Sequence, residues 1–551
     1  MKYSTYLLPL AVSLLFVCFQ TRILAEDDSL IGHWSLMGNA DDQSGSQNNG
    51  VNHGVILKPN QPASFDGKSA FIEVPHSQSL SLGTDEFSIS VYVNTDAVLD
   101  DVIGNILGKY DPQSRKGFQL SIKNHAGVTS SQSNDRHLHF GIDNGKIDTK
   151  WTDHGRLGDA ILVYSMAVYN NQLFAGTCVA GKKEAGHVYR FDGEAKWIDC
   201  GTPDQCNAVS SLAVFNGKLY AGTSKYRLAG SSLAESENAT FGGNVYCYQG
   251  DGKWSHCGKL PGVEAINGMV VYNGSLYVSS MYAPAAFFRY EGGKNWTSCG
   301  VPDGKRVESL AVYNGDLFAT GYDEGAVYRY DGKKWTHAGK VSETSTQTYG
   351  FTVYEGNLYV SEWPHAEVYR YAGGNRWIKV GKLGNEKESM PLVVYNGKMY
   401  SGSLPLAIVY RYDGGSNWTD IGRLDTTPDV KYRRVWSMAV FQGRLFAGTL
   451  PAGRVHSIEA GKNATYDTAL KPGWQHIVAC KEKERLKLYV DGKLVATSSV
   501  FEAADYNLTN NKPLKIGFGS HDYFNGKMKN LRIYRTALSE AEIKKLQQTD
   551  K

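Results

Sequence analysis

The residues of this 551-residue chain whose types could do chemistry are aromatics, arginines and glutamates spread between positions 226 and 434. Tyr226, Tyr282 and Trp363 could stack on a sugar ring, while Arg306, Glu308, His365, Arg433 and Arg434 could hydrogen-bond its hydroxyls. Arg433-Arg434, with Lys305 and Arg306, could hold a sulfate or carboxylate. Glu264, Glu308 and Glu388 stand at like positions just before apolar runs. Two such carboxylates could act as acid and base in glycoside cleavage, a chemistry that needs no sequence motif. The structural alternative is charge lining a hydrated channel. No G-x-S-x-G, H-E-x-x-H, P-loop, strand-borne G-x-G-x-x-G or EF-hand loop occurs, which argues against the enzyme classes those motifs mark. The balance favours a binding protein and leaves an enzyme open.

A repeat positions these residues. One phrase occurs seven times, as VYNNQLFAGT from Val168, VFNGKLYAGT from Val214, VYNGSLYVSS from Val271 and VYNGDLFATG from Val312. It continues as VYEGNLYVSE from Val353, VYNGKMYSGS from Val394 and VFQGRLFAGT from Val440. Its aromatic anchors, Tyr169 through Phe441, lie 46, 57, 41, 41, 41 and 46 residues apart. Alternating apolar and polar residues around an Asn-Gly-like centre read as a hairpin with a tight turn. A second hairpin follows in the first six repeats, with a Trp opening its return strand, as in VYRYDGKKWTHAG from Val327. Two hairpins per repeat make a four-stranded blade, and seven blades make a β-propeller over residues 150–461. The repeats loosely resemble kelch-like propellers. The seventh repeat lacks its Trp strand, and KWTDHG from Lys150 is expected to supply it and close the ring. Repeated turns lie on one face and varied loops on the other, where recognition is expected. Lys398, in a turn, should be a bystander.

The flanks carry a different signature. Upstream stand GHWSL from Gly32 and ASFDGKSAFIEVPHSQSLSLGTDEFSISVYV from Ala63. Downstream stand GWQHIVAC from Gly473, LKLYVDGKLVATS from Leu486 and FNGKMKNLRIYRTALSEAEIKKL from Phe524, with a short helix from Ser539. In this order they resemble the laminin-G-like, concanavalin-type jelly-roll family. The resemblance implies one β-sandwich, residues 26–149 and 462–551, interrupted by the propeller, in an all-β protein. It also implies a lectin-like surface and calcium in the sandwich, with Asp66 of the F-D-G phrase as the matching metal position.

Hydrophobic residues make up 42% and charged residues 21%, as in a folded globular protein. Fifty-eight basic against 55 acidic residues give +3, too balanced for nucleic acid as the main partner. Lys2, the apolar run Leu7–Phe19 and the junction after Ala25 read as a signal peptide of residues 1–25. The mature chain is then secreted, with no transmembrane segment. Cys18 leaves with the signal, and the seven remaining cysteines make Cys200–Cys206 and Cys247–Cys257 the candidate disulfides. N-x-[ST] sequons at Asn238, Asn273, Asn295, Asn417, Asn463 and Asn507 become glycosylation sites in a glycosylating host. Together these features describe a non-catalytic binder of polysaccharide, glycoprotein or extracellular matrix. A polysaccharide hydrolase or lyase with its site in the propeller mouth is the alternative, and a structural matrix protein is the third reading.

Overall fold

The computed structural model describes residues 1, 29–98, 101–126 and 131–549; apart from Met1, the expected signal peptide, with Cys18, lies outside the described residues. Each repeat folds as its alternation dictates. In the fourth, Val307–Tyr313, Asp316–Gly321, Ala326–Tyr330 and Trp335–Lys340 pair antiparallel in chain order. The turn Asn314-Gly315 holds both residues at positive φ, 52° and 87°, which Asn and Gly accept most readily.

Two side-chain ladders join successive repeats. On the turn side, the anchors Tyr272, Tyr313 and Tyr395 donate their hydroxyls to the carbonyls of Gly315, Gly356 and Gly443 in the next turn, at 2.9, 3.1 and 2.7 Å. Around the rim, Trp254, Trp296 and Trp377 donate their indole N–H groups to Cys200, Cys257 and Ala338 carbonyls, at 2.9, 2.9 and 2.8 Å. The rim ladder crosses the join between the two ends of the repeat array. Trp151 donates to Ile421 and Trp197 to His154, at 2.9 and 3.0 Å. Thr152–Arg156 pairs with Arg454–Ile458 and supplies the strand missing from the last repeat. The innermost strands neighbour one another in chain order, and Arg434–Phe441 packs against Leu162–Tyr169. The result is a propeller-like ring. Where seven separate blades are expected, five separate four-stranded sheets form, and the first two repeats share one eight-stranded sheet. A single pair, Cys178 with Ala208, merges that sheet.

The flanks form two further seven-stranded antiparallel sheets. One contains Leu30–Trp34, Ala63–Asp66 and Phe87–Thr95 with Gly473–Lys481, Leu486–Val490, Lys493–Thr497 and Asn525–Tyr534. The other contains Val51–His53, Phe71–Val74, Gly104–Asp111, Lys116–Ala126 and Ser131–Asn144 with Lys462–Tyr466 and Leu514–Ile516. Trp34, Phe87, Ile89, Phe140, Ile477 and Leu488 fill the core between them. The helix Glu540–Thr549 begins in a capping box, where Ser539 N–H donates to Glu542 at 2.7 Å.

The ring's turn face rests on the second of these sheets. Asn396 donates its amide to Ile142 O at 3.1 Å, Gly356 N–H to His521 O at 3.1 Å, and Gln442 N–H to Asp467 at 2.8 Å. The hairpin of Lys116–Ala126 and Ser131–Asn144 reaches the inner strands of the second through sixth repeats. Lys398, expected to be a bystander to binding, is buried and forms an ion pair with Asp143, the two side chains 2% and 1% exposed. Its ammonium needs that partner because water cannot reach it.

The same packing revises two sequons. Asn463 is 1% exposed and bonds Tyr395 and Ala460, and Asn238 is 4% exposed and donates to Glu184 and Gln205 carbonyls. Neither amide is accessible to a glycan, whereas Asn273, Asn295, Asn417 and Asn507 are exposed. No disulfide joins the described cysteines. Cys200 and Cys206 turn to different carbonyls, Ile198 and Ala208, and Cys247 and Cys257 are neighbouring thiols in hydrogen-bond contact.

Candidate functional site

A recurring irregularity aims side chains into the ring. Each innermost strand changes register near the fifth residue before its aromatic anchor, as between Val163 and Ser165 and between Val435 and Ser437. Such bulges redirect the residue they skip. In the first, fourth, fifth and seventh repeats that residue is Tyr164, Glu308, Tyr349 and Trp436, and all four line one cavity. Ser210, Asn267 and Met390 hold the same position in the other repeats. Two residues earlier stand Arg306, Gln347, Glu388 and Arg434 in the fourth to seventh repeats, against Leu162, Ala208 and Ala265 in the first three. One side of the channel is therefore polar and the other small and apolar. The insertion that lengthens the second repeat lies over the apolar side, packing Tyr226 and Leu228 onto Leu162, Ala208 and Ala265.

The cavity opens on the varied-loop face and measures about 470 Å³, within the range of roughly 300–1,000 Å³ common for small-molecule sites. Tyr282, Tyr322, Trp363 and Tyr432 ring its mouth. Arg434 is its central cation. Its Nη1 donates to Ser231 of the insertion at 2.7 Å, its Nε lies 3.4 Å from Glu388, and its guanidinium sits 5.2 Å from the Trp436 ring centre. Arg434 is held charged despite its burial, chiefly by Glu388. Burial raises Glu388, with Arg434 opposing. Burial also raises Glu308 to about 7, opposed by a hydrogen bond with Asn267 and reinforced by the charge of Glu388. Besides the ion-paired Glu388 Oε1 and Arg434 Nε, two buried polar atoms in the lining, Glu308 Oε2 and Trp436 Nε1, have no hydrogen-bond partner in the protein. One accepts and the other donates, so together they suit a ligand hydroxyl.

Of the residues singled out in sequence, Tyr226, Tyr282, Arg306, Glu308, Trp363 and Arg434 meet at this cavity. His365 and Arg433 do not line it: His365 N–H donates to Glu362 at 3.0 Å, and Arg433 Nε to Thr427 O at 2.6 Å. The anion-holding cluster does not form, because Lys305 pairs with Glu324, Arg306 with Asp323 and Arg434 with Glu388. Glu264, Glu308 and Glu388 stand at three different depths, and Glu264 is taken by Arg227. Tyr164, Tyr349 and Trp436 escape sequence reading because they look like core residues of a strand; counting back five from each anchor finds them.

In the sandwich, Asp66 closes its own turn. It accepts from the Lys68, Ser69 and Ala70 N–H groups at 2.9, 2.9 and 2.8 Å. Those bonds lower its pKa against the desolvation that would raise it. Among the described residues no group of three or more His, Cys, Asp or Glu is placed to hold a metal ion. No described helix is long and apolar enough to cross a membrane.

The fold is thus all-β, with a concanavalin A-like domain and propeller-like blades. Residues 437–544 match the family described as the Concanavalin A-like lectin/glucanases superfamily. No curated protein matches the chain. Among solved structures, virginiamycin B lyase from Staphylococcus aureus is 11% identical, with a TM-score of 0.45, over 56% of this chain and 98% of the lyase. The extracellular domain of the one-component system BT4673 from B. thetaiotaomicron is 10% identical, with a TM-score of 0.42, over 64% of this chain and 48% of that one.

Proposed function

We propose that the protein is a secreted, non-catalytic carbohydrate-binding protein whose ligand sits in the loop-face cavity. Its sandwich, residues 26–149 and 462–551, carries a kelch-like ring of seven units at 150–461. The count of seven is supported by the rim Trp ladder, which passes through every repeat and across the join, and by the single pair merging the first two units. The observation that carries the functional reading is the cavity itself. Aromatic rings at its mouth offer faces for a sugar, and buried Glu308 Oε2 and Trp436 Nε1 wait inside for hydroxyls. The concanavalin A-like match over 437–544 agrees with a carbohydrate ligand. The partner is a polysaccharide, glycoprotein or matrix component.

A glycan array with the full chain tests this. Binding to a defined glycan class is expected, weakened by roughly 1–3 kcal/mol in Trp363→Ala, the cost of losing an aromatic anchor. An empty array, or equal binding by Trp363→Ala, contradicts the reading.

One observation favours a hydrolytic second reading: Glu308 and Glu388 share the cavity, one raised to about 7 and the other beside Arg434. Release of reducing ends from a bound glycan, abolished in Glu308→Gln, would replace the binding reading with this one.

A further inference from the structure

The charges of the cavity are unequal in a way the sugar reading does not use. Its three arginines are all matched: Arg227 with Glu264, Arg306 with Asp323 and Arg434 with Glu388. Two lining carboxyls have no cationic partner among these. Glu235 is spent on the Leu228 and Ala229 N–H groups of the insertion, at 3.2 and 2.7 Å. Glu308 is 4% exposed and keeps Oε2 without a partner. When ionised, the lining and its partners carry a net negative charge, so an anionic ligand would meet repulsion where the sequence offered arginines.

The walls also suit a cation. Tyr164, Tyr322 and Tyr349 lie near enough to Glu308 for their charges to interact. The protein already places cations on the neighbouring rings, Arg306 at 4.3 Å from Tyr322 and Arg434 at 5.2 Å from Trp436. A positive ligand group between Glu308 and the Tyr349 ring, over which no arginine among the described residues lies, gains both an ion pair and the attraction of the ring face. A neutral sugar hydroxyl gains neither.

We infer that the cavity selects an amino sugar, its ammonium group lodged against Glu308 and the ring of Tyr349. The inference rests on the sugar reading above and names the substrate class within it. Glu308 acts here as a fixed counter-charge, and the insertion of the second repeat, tied to Arg434 through Ser231, forms the wall above it. The ionisation of Glu308 is set by burial, the Asn267 hydrogen bond, Glu388, Arg306 and Arg434, with Tyr164, Tyr322 and Tyr349 facing it.

Titration calorimetry on the full chain tests this with four probes: a glucosamine trisaccharide, its fully N-acetylated counterpart, a glucose trisaccharide and tetramethylammonium. The glucosamine trisaccharide is expected to bind at least tenfold tighter than the other two sugars. In Glu308→Gln that preference should vanish, the three sugars binding within twofold of one another. Tetramethylammonium, whose charge is permanent, should bind more tightly as pH rises from 5.5 to 8 and Glu308 ionises. Three sugars binding alike to the native protein would overturn the ammonium site and leave the sugar reading standing. Binding of tetramethylammonium alone, with this pH dependence, would keep the ammonium site and overturn the sugar reading. No binding by any probe overturns both.

Discussion

On the ring's turn face, Lys398 and Asp143 are paired at 2% and 1% exposure, and backbone groups of the turns bond directly to the sandwich. On the loop face, Trp363 and Tyr282 stay half-buried around a cavity, with Glu308 Oε2 and Trp436 Nε1 unpartnered below them. Both faces come from the same repeats, yet one is covered by the sandwich and the other surrounds an open cavity. The difference follows from uniformity. Turns of one shape present a level surface that another sheet can cover, while loops of unequal length leave a concavity.

The comparison breaks most sharply at Lys398. Lys398→Ala strands the buried Asp143 carboxylate, so a loss of roughly 3–5 kcal/mol is expected in chemical denaturation. Lys398→Met combined with Asp143→Leu should recover most of it. A single substitution costing under about 1 kcal/mol would mean the turn face is not docked as described.

Glu308 provides the loop-face counterpart. Its carboxyl is held near 7 in the folded protein, against an ordinary 4.5. Folding therefore favours the protonated form, and the stability tied to it is complete below pH 4.5 and lost as pH rises through 7. Glu308→Gln should stabilise the protein by roughly 3 kcal/mol at pH 8 relative to its effect at pH 4.5. Thermal melts across that range check it, and a pH-independent difference would place the carboxyl in water.

Asn463 and Asn273 contrast a buried and an exposed asparagine on the turn side, with a smaller expected effect. Asn463→Gln should cost about 1–3 kcal/mol by disturbing the buried bonds to Tyr395 and Ala460. Asn273→Gln, at an exposed turn, should cost only about 1 kcal/mol, through the positive φ of 46° that Asn accepts more readily than Gln. In a glycosylating host, glycopeptide mapping should find no glycan at Asn463 or Asn238.

The strands, the turns and the closure by Thr152–Arg156 were legible because each repeats a local pattern, and a missing Trp strand is visible once six others are aligned. The docking of the turn face was not. Lys398 and Asn463 are polar residues in turn-like settings, and only the partner surface, more than 200 residues away for Lys398, makes them buried. At the cavity, loop aromatics such as Trp363 and Tyr282 were readable as exposed rings. Tyr164, Tyr349 and Trp436 sit inside apolar strands, and only the bulge turns them toward the channel. The arginines were visible, but their neutralising partners, Asp323, Glu264 and Glu388, come from other strands and loops. The anion-holding cluster offered by the linear reading therefore does not form.

The division between the two faces is tested most directly by hydrogen–deuterium exchange of the full chain with and without saturating glucosamine trisaccharide. Protection is expected in the insertion over residues 226–235 and at 306–308, 347–349 and 434–436, with the turn at 396–398 unchanged. Protection confined to the sandwich, or spread equally over both faces of the ring, would contradict the account.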